Sequence, residues 1–182
     1  MGDRSISRAR YIASLVAALC VIVFSVYFFW YRGMSFFRVP SSSMEPTLLP
    51  DDRLITFREN QYQRGDIVVF VDPKDSKAFL VKRIVGVPGD TLSIGGGALF
   101  INGKYASEPY TKEQMGASLD PFRVPEGQVY VLGDNRNMSE DSLAWGHGIR
   151  FGDIVGRVDY IYGPWARVGP VNSFPLTNTD GA

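Results

Sequence analysis

From Tyr11 to Tyr31 the chain reads YIASLVAALCVIVFSVYFFWY, 21 residues without a charge. A helix needs about 20 apolar residues to cross a bilayer, so this run is long enough to span one. Tyr27, Trp30 and Tyr31 at its end suit the interfacial aromatic belt. A cleavable secretory leader is the rival reading. Its apolar region would be shorter, about 7–15 residues, with a small-x-small exit; here the exit reads FFWYRG. The run is therefore expected to be an uncleaved anchor over residues 11–31, with residues 1–10 as a cytoplasmic amino terminus. Arg4, Arg8 and Arg10 precede it, against Arg32 and Arg38 after it. That bias predicts a single-pass protein whose later residues lie outside the cell (inner) membrane, in the periplasm or its equivalent.

Charge excludes some partners. The 19 basic and 19 acidic residues balance overall, and those beyond the anchor region number 15 basic against 18 acidic. Nothing suggests nucleic acid as a partner. The single cysteine, Cys20, lies in the apolar run, so no disulfide framework can form outside it. With His147 the only histidine, no Cys/His metal site is expected either, and no cofactor is called for.

Past the anchor, short β patterns alternate with Gly, Pro and Asp turns. RLITF at 53–57, DIVVFV at 66–71, AFLVKRIVGV at 78–87, TLSI at 91–94, ALFING at 98–103, QVYVLG at 128–133 and IVGRVDYIYG at 154–163 all read as strands. TLSI and ALFING form a hairpin across Gly95-Gly96-Gly97. An all-β domain over residues 32–170 is expected, with a looser insertion at about 90–127 and a poorly ordered tail at 171–182.

Three stretches carry chemistry. FLVKRIV places Lys82 on one strand face with Leu80 and Ile84, and Arg83 on the other with Val81 and Val85. A snorkelling edge lysine is the plain reading. The functional one is a lysine desolvated so that its neutral amine serves as a general base. VPSSSMEPTL, residues 39–48, offers hydroxyls, and a serine attacks only when a base takes its proton. If the segment is extended, Ser41 and Ser43 share a side and Ser42 faces away. The third stretch, GDNRNMSEDSLAWG at 133–146, is an Asx-rich loop that could be structural or part of a site.

In this order the three stretches resemble the type I signal peptidases, Ser-Lys serine proteases of family S26. The likeness extends over residues 36–162 and includes RGDIVVF at 64–70 and LFINGKYASEPY at 99–110. It implies a β-sheet catalytic core with a small β insertion behind one transmembrane helix. It implies Ser43 as nucleophile and Lys82 as base, with Ser41 joining the Ser43 N–H as oxyanion donor. Ser139 would orient the Lys82 amine, and Asp141 would pair with Arg83. Phe37, Val39, Met44, Leu48, Leu80 and Val81 would wall the pockets for a bound peptide. The substrate implied is an exported preprotein, cut after a small-x-small motif in its signal peptide, by an enzyme anchored in the lipid bilayer and expected to be a monomer. The family's arginine two residues after the aspartate is Leu143 here, which leaves Arg83 and Arg136 as candidate partners for Asp141. Rival readings are a specialised pilin-maturation peptidase, or a catalytically silent, membrane-anchored peptide-binding β domain. A self-cleaving repressor fits poorly with an amino-terminal membrane helix.

Overall fold

The computed structural model describes residues 3–31, 33–174 and 176. It divides into two units, Met1–Met34 and Ser35–Ala182. The first holds one helix, α1 (Asp3–Tyr31). Within it, Arg10–Phe29 is a 20-residue stretch of mean hydropathy 2.6, none of it buried. At about 1.5 Å per residue such a stretch matches the ~30 Å hydrocarbon core of a bilayer.

The second unit is all-β. Its strands are β1 (Ser35–Arg38), β2 (Arg53–Phe57), β3 (Ile67–Val71), β4 (Phe79–Gly86), β5 (Thr91–Gly95), β6 (Ala98–Ile101), β7 (Lys104–Tyr105), β8 (Leu119–Arg123) and β9 (Gln128–Leu132). A one-turn helix, α2 (Ser142–Trp145), precedes β10 (Ile149–Arg150), β11 (Ile154–Gly163) and β12 (Gly169–Pro170). The main sheet runs β1-β2-β11-β3-β4-β9-β10, with β12 pairing to β11. Its pairings are antiparallel, with bulges where β11 meets β2 and β3. Residues 91–123 build a separate four-stranded sheet, β7-β6-β5-β8. Its β5–β6 hairpin closes on Gly96 and Gly97, both at positive φ (59° and 81°), where a glycine dipeptide turns without strain.

The strand pattern explains where the core sits. β3 is apolar on both faces: Val68 and Phe70 pack with Ile84, Val129, Val131 and Ile149, while Ile67 and Val69 pack with Val39, Met44, Leu48 and Val81. The centre of the main sheet is thus covered on both sides, as an uninterrupted apolar run requires. The second sheet closes over Val85, Tyr130 and Leu132 with Leu92, Ile94, Leu99 and Ile101.

Five strands escape the sequence pattern: β7, β10 and β12, each only two residues long, and β1 and β8. β1 is four residues long and pairs only with β2 at the sheet edge. β8 carries Pro121, tolerated because β8 is the outer strand of its sheet. The tail departs from the disorder expected of it at residues 171–174 and at Leu176. Val171 N–H donates to Asp159 O at 3.0 Å, the Phe174 ring lies against Tyr110, and Leu176 is buried in the core beside the second sheet. Residues 177–182 lie outside the described residues.

Candidate active site

β1 and β2 are joined by a segment whose prolines, Pro40, Pro46 and Pro50, keep it out of the sheet. It folds as a series of turns anchored by the burial of Val39, Met44 and Leu48. Ser43 sits between those anchors, 6% exposed. Ser41 Oγ donates to Ser43 Oγ at 3.3 Å, so the two hydroxyls meet although the segment bends instead of running extended. Ser42 contributes its backbone: its carbonyl accepts from Glu45 N–H and from Asn135 Nδ2, each at 3.1 Å.

Lys82 comes to this point from the middle of β4. Its Nζ lies 2.6 Å from Ser43 Oγ, and the side chain is 3% exposed. Burial pulls the amine's pKa below the ordinary lysine value, and the carboxylates of Asp141 and Asp134 oppose that shift without overcoming it. Desolvation wins because no carboxylate touches the amine, whose direct partner is a neutral hydroxyl. A deprotonated lysine beside a serine hydroxyl can accept its proton, which a surface lysine cannot do near neutral pH.

The next residue behaves oppositely. Arg83 is completely buried and, unlike Lys82, meets a carboxylate directly: it donates to Asp134 with two bonds, Nε to Oδ1 at 2.8 Å and Nη2 to Oδ2 at 2.7 Å. Its Nη1 donates to Gly65 O at 2.8 Å, and its guanidinium lies 3.9 Å from the centroid of the Tyr110 ring. Thr47 Oγ1 donates to the same carboxylate at 2.5 Å, which ties the serine segment to the ion pair.

These contacts correct the pairing of Arg83 with Asp141. The carboxylate on Arg83 is Asp134. Asp141 caps α2, its Oδ1 accepting from Leu143 N–H at 3.2 Å. Its Oδ2 accepts from Gly133 N–H at 2.9 Å and from Ser139 Oγ at 2.6 Å. Asp141 therefore needs no arginine, and Leu143 turns toward the core around the second sheet. Arg136, the other candidate partner, is held by Glu108 through Nη1 and Nη2 at 2.9 and 2.6 Å. The Ser139 hydroxyl proton goes to Asp141, and among the described residues no hydrogen bond joins Ser139 to the Lys82 amine.

Gly133 explains how tightly the loop meets the serine segment. A Cβ there would sit 2.4 Å from Ser139 Oγ and 2.5 Å from Ser43 O, distances real atoms do not tolerate. We expect Gly133→Ala to lower kcat more than tenfold and to destabilise by about 1–3 kcal/mol, the usual range for overpacking. Wild-type kinetics and melting would show that the loop has room to move.

Of the expected pocket walls, Val39, Met44, Leu48 and Val81 share one buried cluster, and Phe37 packs against it. Leu80 packs with a different cluster, around Phe70 and Ile84. The six do not form one wall. Asn135, Asp134, Thr47 and Glu108 are site neighbours that sequence reasoning did not single out. Among the described residues no three His, Cys, Asp or Glu side chains converge to hold a metal ion.

The chain is similar to proteins already known. The chain is 42% identical over 140 residues to a probable signal peptidase I-2 of Synechocystis sp., covering 72% of this chain and 64% of that relative. It is 38% identical over 149 residues to signal peptidase I of Leptolyngbya laminosa (75% and 72% covered). To signal peptidase I of Bacillus licheniformis it is 34% identical over 147 residues (71% and 77%). A family model described as signal peptidase, peptidase S26, matches residues 8–165, a span that includes most of α1 and every residue of the serine–lysine site, and the chain belongs to that family.

Proposed function

We propose that this peptidase cleaves the signal peptides of exported preproteins with Ser43 as nucleophile and Lys82 as general base. The observation that carries the assignment is the 2.6 Å approach of a buried amine to a buried hydroxyl. Ser43 Oγ attacks the scissile carbonyl carbon while its proton passes to Lys82 Nζ. The carbonyl oxygen, now an oxyanion, accepts from the Ser43 N–H and from the Ser41 hydroxyl, which rotates from its resting bond to Ser43. On collapse the leaving amine takes the proton from Lys82. A water then attacks the acyl ester, giving its proton to Lys82 Nζ, and on collapse Lys82 returns a proton to Ser43 Oγ, freeing the serine and the carboxylic acid product.

During turnover Ser139 orients the amine through its lone pairs, and Asp141 fixes Ser139. The peptide adds to a sheet edge with alternate side chains in shallow pockets lined by the cluster of Val39, Met44, Leu48 and Val81 with Phe37, and by Leu80. Arg10–Phe29 anchors the enzyme in the bilayer with its amino terminus cytoplasmic and residues from about 33 onward outside.

The test is cleavage of one preprotein by the purified full-length chain in detergent. Ser43→Ala is expected to abolish turnover, and Ser42→Ala to stay within about threefold of wild type, because Ser42 serves through its carbonyl. Chelator is expected to have no effect. Cleavage by Ser43→Ala at the wild-type rate would remove the assignment.

A further inference from the structure

The oxyanion hole in this reading depends on a backbone N–H in a segment that no strand pairing holds. Residues 39–52 lie outside the sheet, so the direction of the Ser43 N–H is not set by a ladder. Among the described residues no protein acceptor takes that N–H. Something else must hold the peptide plane, since a donor that wobbles loses most of its electrostatic value.

Asn135 makes two bonds to that plane and the next. Its Nδ2 donates to Ser42 O at 3.1 Å, and its backbone N–H donates to Ser43 O at 3.1 Å. Successive carbonyls on either side of the nucleophile are thus gripped by one residue. The Ser42–Ser43 peptide is trans. In a trans peptide the C=O and N–H point in opposite directions across a rigid plane. Holding the Ser42 carbonyl toward Asn135 therefore aims the Ser43 N–H away from it. Asn135 is 3% exposed, too enclosed to meet substrate itself, and its grip is direct rather than through water.

We propose that Asn135 is a positioning residue for the oxyanion hole: its side-chain amide sets the orientation of the Ser42–Ser43 peptide and so aims the Ser43 N–H at the developing oxyanion. The inference rests on the assignment of Ser43 as nucleophile. The Ser42 carbonyl also takes the Glu45 N–H, but that bond belongs to the turn itself and moves with it. Among the described residues only Asn135 hydrogen-bonds the peptide to the neighbouring loop, whose own path is fixed by the Arg83–Asp134 pair and by Arg136 Nε donating to Gly133 O at 2.8 Å.

Two variants separate the bond from the packing. Asn135→Ala removes both the amide and its bulk; Asn135→Leu keeps the backbone N–H and the same number of branched side-chain heavy atoms, and removes the whole amide, donor and acceptor. Full-length proteins are compared for kcat, KM and melting temperature on one preprotein, and for inhibition by a peptide aldehyde, whose hemiacetal oxygen occupies the oxyanion position. Losing an oxyanion donor outright costs about 10²–10³ in kcat, and misaiming one should cost less. Both variants are expected to lose about 10- to 100-fold in kcat with KM within twofold, and to bind the aldehyde more weakly by a similar factor. The fraction folded at the assay temperature should match wild type. A wild-type kcat in Asn135→Leu, or a loss confined to KM, overturns the inference. Should Asn135→Ala fail to fold, Asn135→Leu decides alone; if neither folds, Asn135 is a residue of the fold and the inference is likewise overturned. Ser43→Ala runs in parallel. An inactive Ser43→Ala beside fully active Asn135 variants removes only this inference, whereas an active Ser43→Ala removes the nucleophile assignment beneath it.

Discussion

Methionine in place of Lys82 is expected to eliminate turnover and, at neutral pH, to raise the melting temperature. The two effects share a cause. Without the amine nothing near Ser43 takes its proton, and losing one member of a nucleophile–base pair costs about 10⁴-fold or more. The same amine lies buried with its pKa pulled down by desolvation. Each unit of that shift corresponds to about 1.4 kcal/mol set against folding while the unfolded lysine is fully protonated. The sign follows from proton counting. Between the lowered folded-state value and 10.5 the unfolded chain holds more protons, so wild-type stability rises with pH through that window. Methionine has nearly the same length and no charge to bury, so the variant should lack that slope. Activity of the wild type should rise over the same range as the amine deprotonates, with its inflection below 10.5. Kinetics and urea melts across pH 6–10 test both halves. Parallel stability curves for the two proteins would contradict a desolvated lysine, and retained turnover would contradict a catalytic one.

Arg83→Met is the largest expected change in stability. It leaves Asp134, with no exposed side-chain surface, without its counter-charge. Breaking a buried pair from one side typically costs about 3–5 kcal/mol. The guanidinium's contact with the Tyr110 ring would be lost too. Removing both charges in Arg83→Met/Asp134→Leu is expected to return much of that stability, because two apolar side chains do not have to be desolvated as ions. Urea denaturation of the two variants gives the answer. A double variant as unstable as the single one would mean that the pair acts through its hydrogen bonds to Thr47 and Gly65 more than through its charges.

The contrast between these neighbours marks how far the sequence could be read. Two cations inside FLVKRIV announce that at least one of them is buried, and the strand's alternation sends them to opposite faces. The structure buries both. The partner of Arg83 was not legible, because Asp134 and Asp141 lie in one loop and either could reach it. What separates them is local: Asp141 directly precedes the first residue of α2, where a carboxylate accepts a helix N–H, and that commitment takes it away from Arg83. Asn135 was visible as a loop residue, but its effect depends on which carbonyls the fold lays against it. β2, β5, β6 and β11 announced themselves through period-two alternation, and β3, β4 and β9 as runs buried on both faces. β1, β7, β10 and β12 were hidden by shortness, and β8 by a proline that only an edge position permits. Leu176 reads as tail because only polar and small residues follow it; its burial comes from residues of distant strands that pack around it.

The second sheet leaves the main one and returns at almost the same place, since Gly86 at the end of β4 pairs with Tyr130 in β9. An excursion with adjacent ends can change length without disturbing the strands it leaves, and each doubling of a flexible loop adds only about 0.6 kcal/mol of closure entropy. This makes residues 91–123 a graftable module, but one with a restricted place for cuts. Glu108 and Tyr110 reach from it to Arg136 and Arg83, so splicing near them would disconnect the catalytic loop. The hairpin tip at Gly95 is different: a side chain added there meets nothing within 4 Å, while Gly96 beside it, also in open space, keeps the positive φ that favours glycine. A reporter peptide or an affinity handle belongs there, at the far tip of the hairpin, where evolution and engineering alike can lengthen the protein without the nucleophile registering the change.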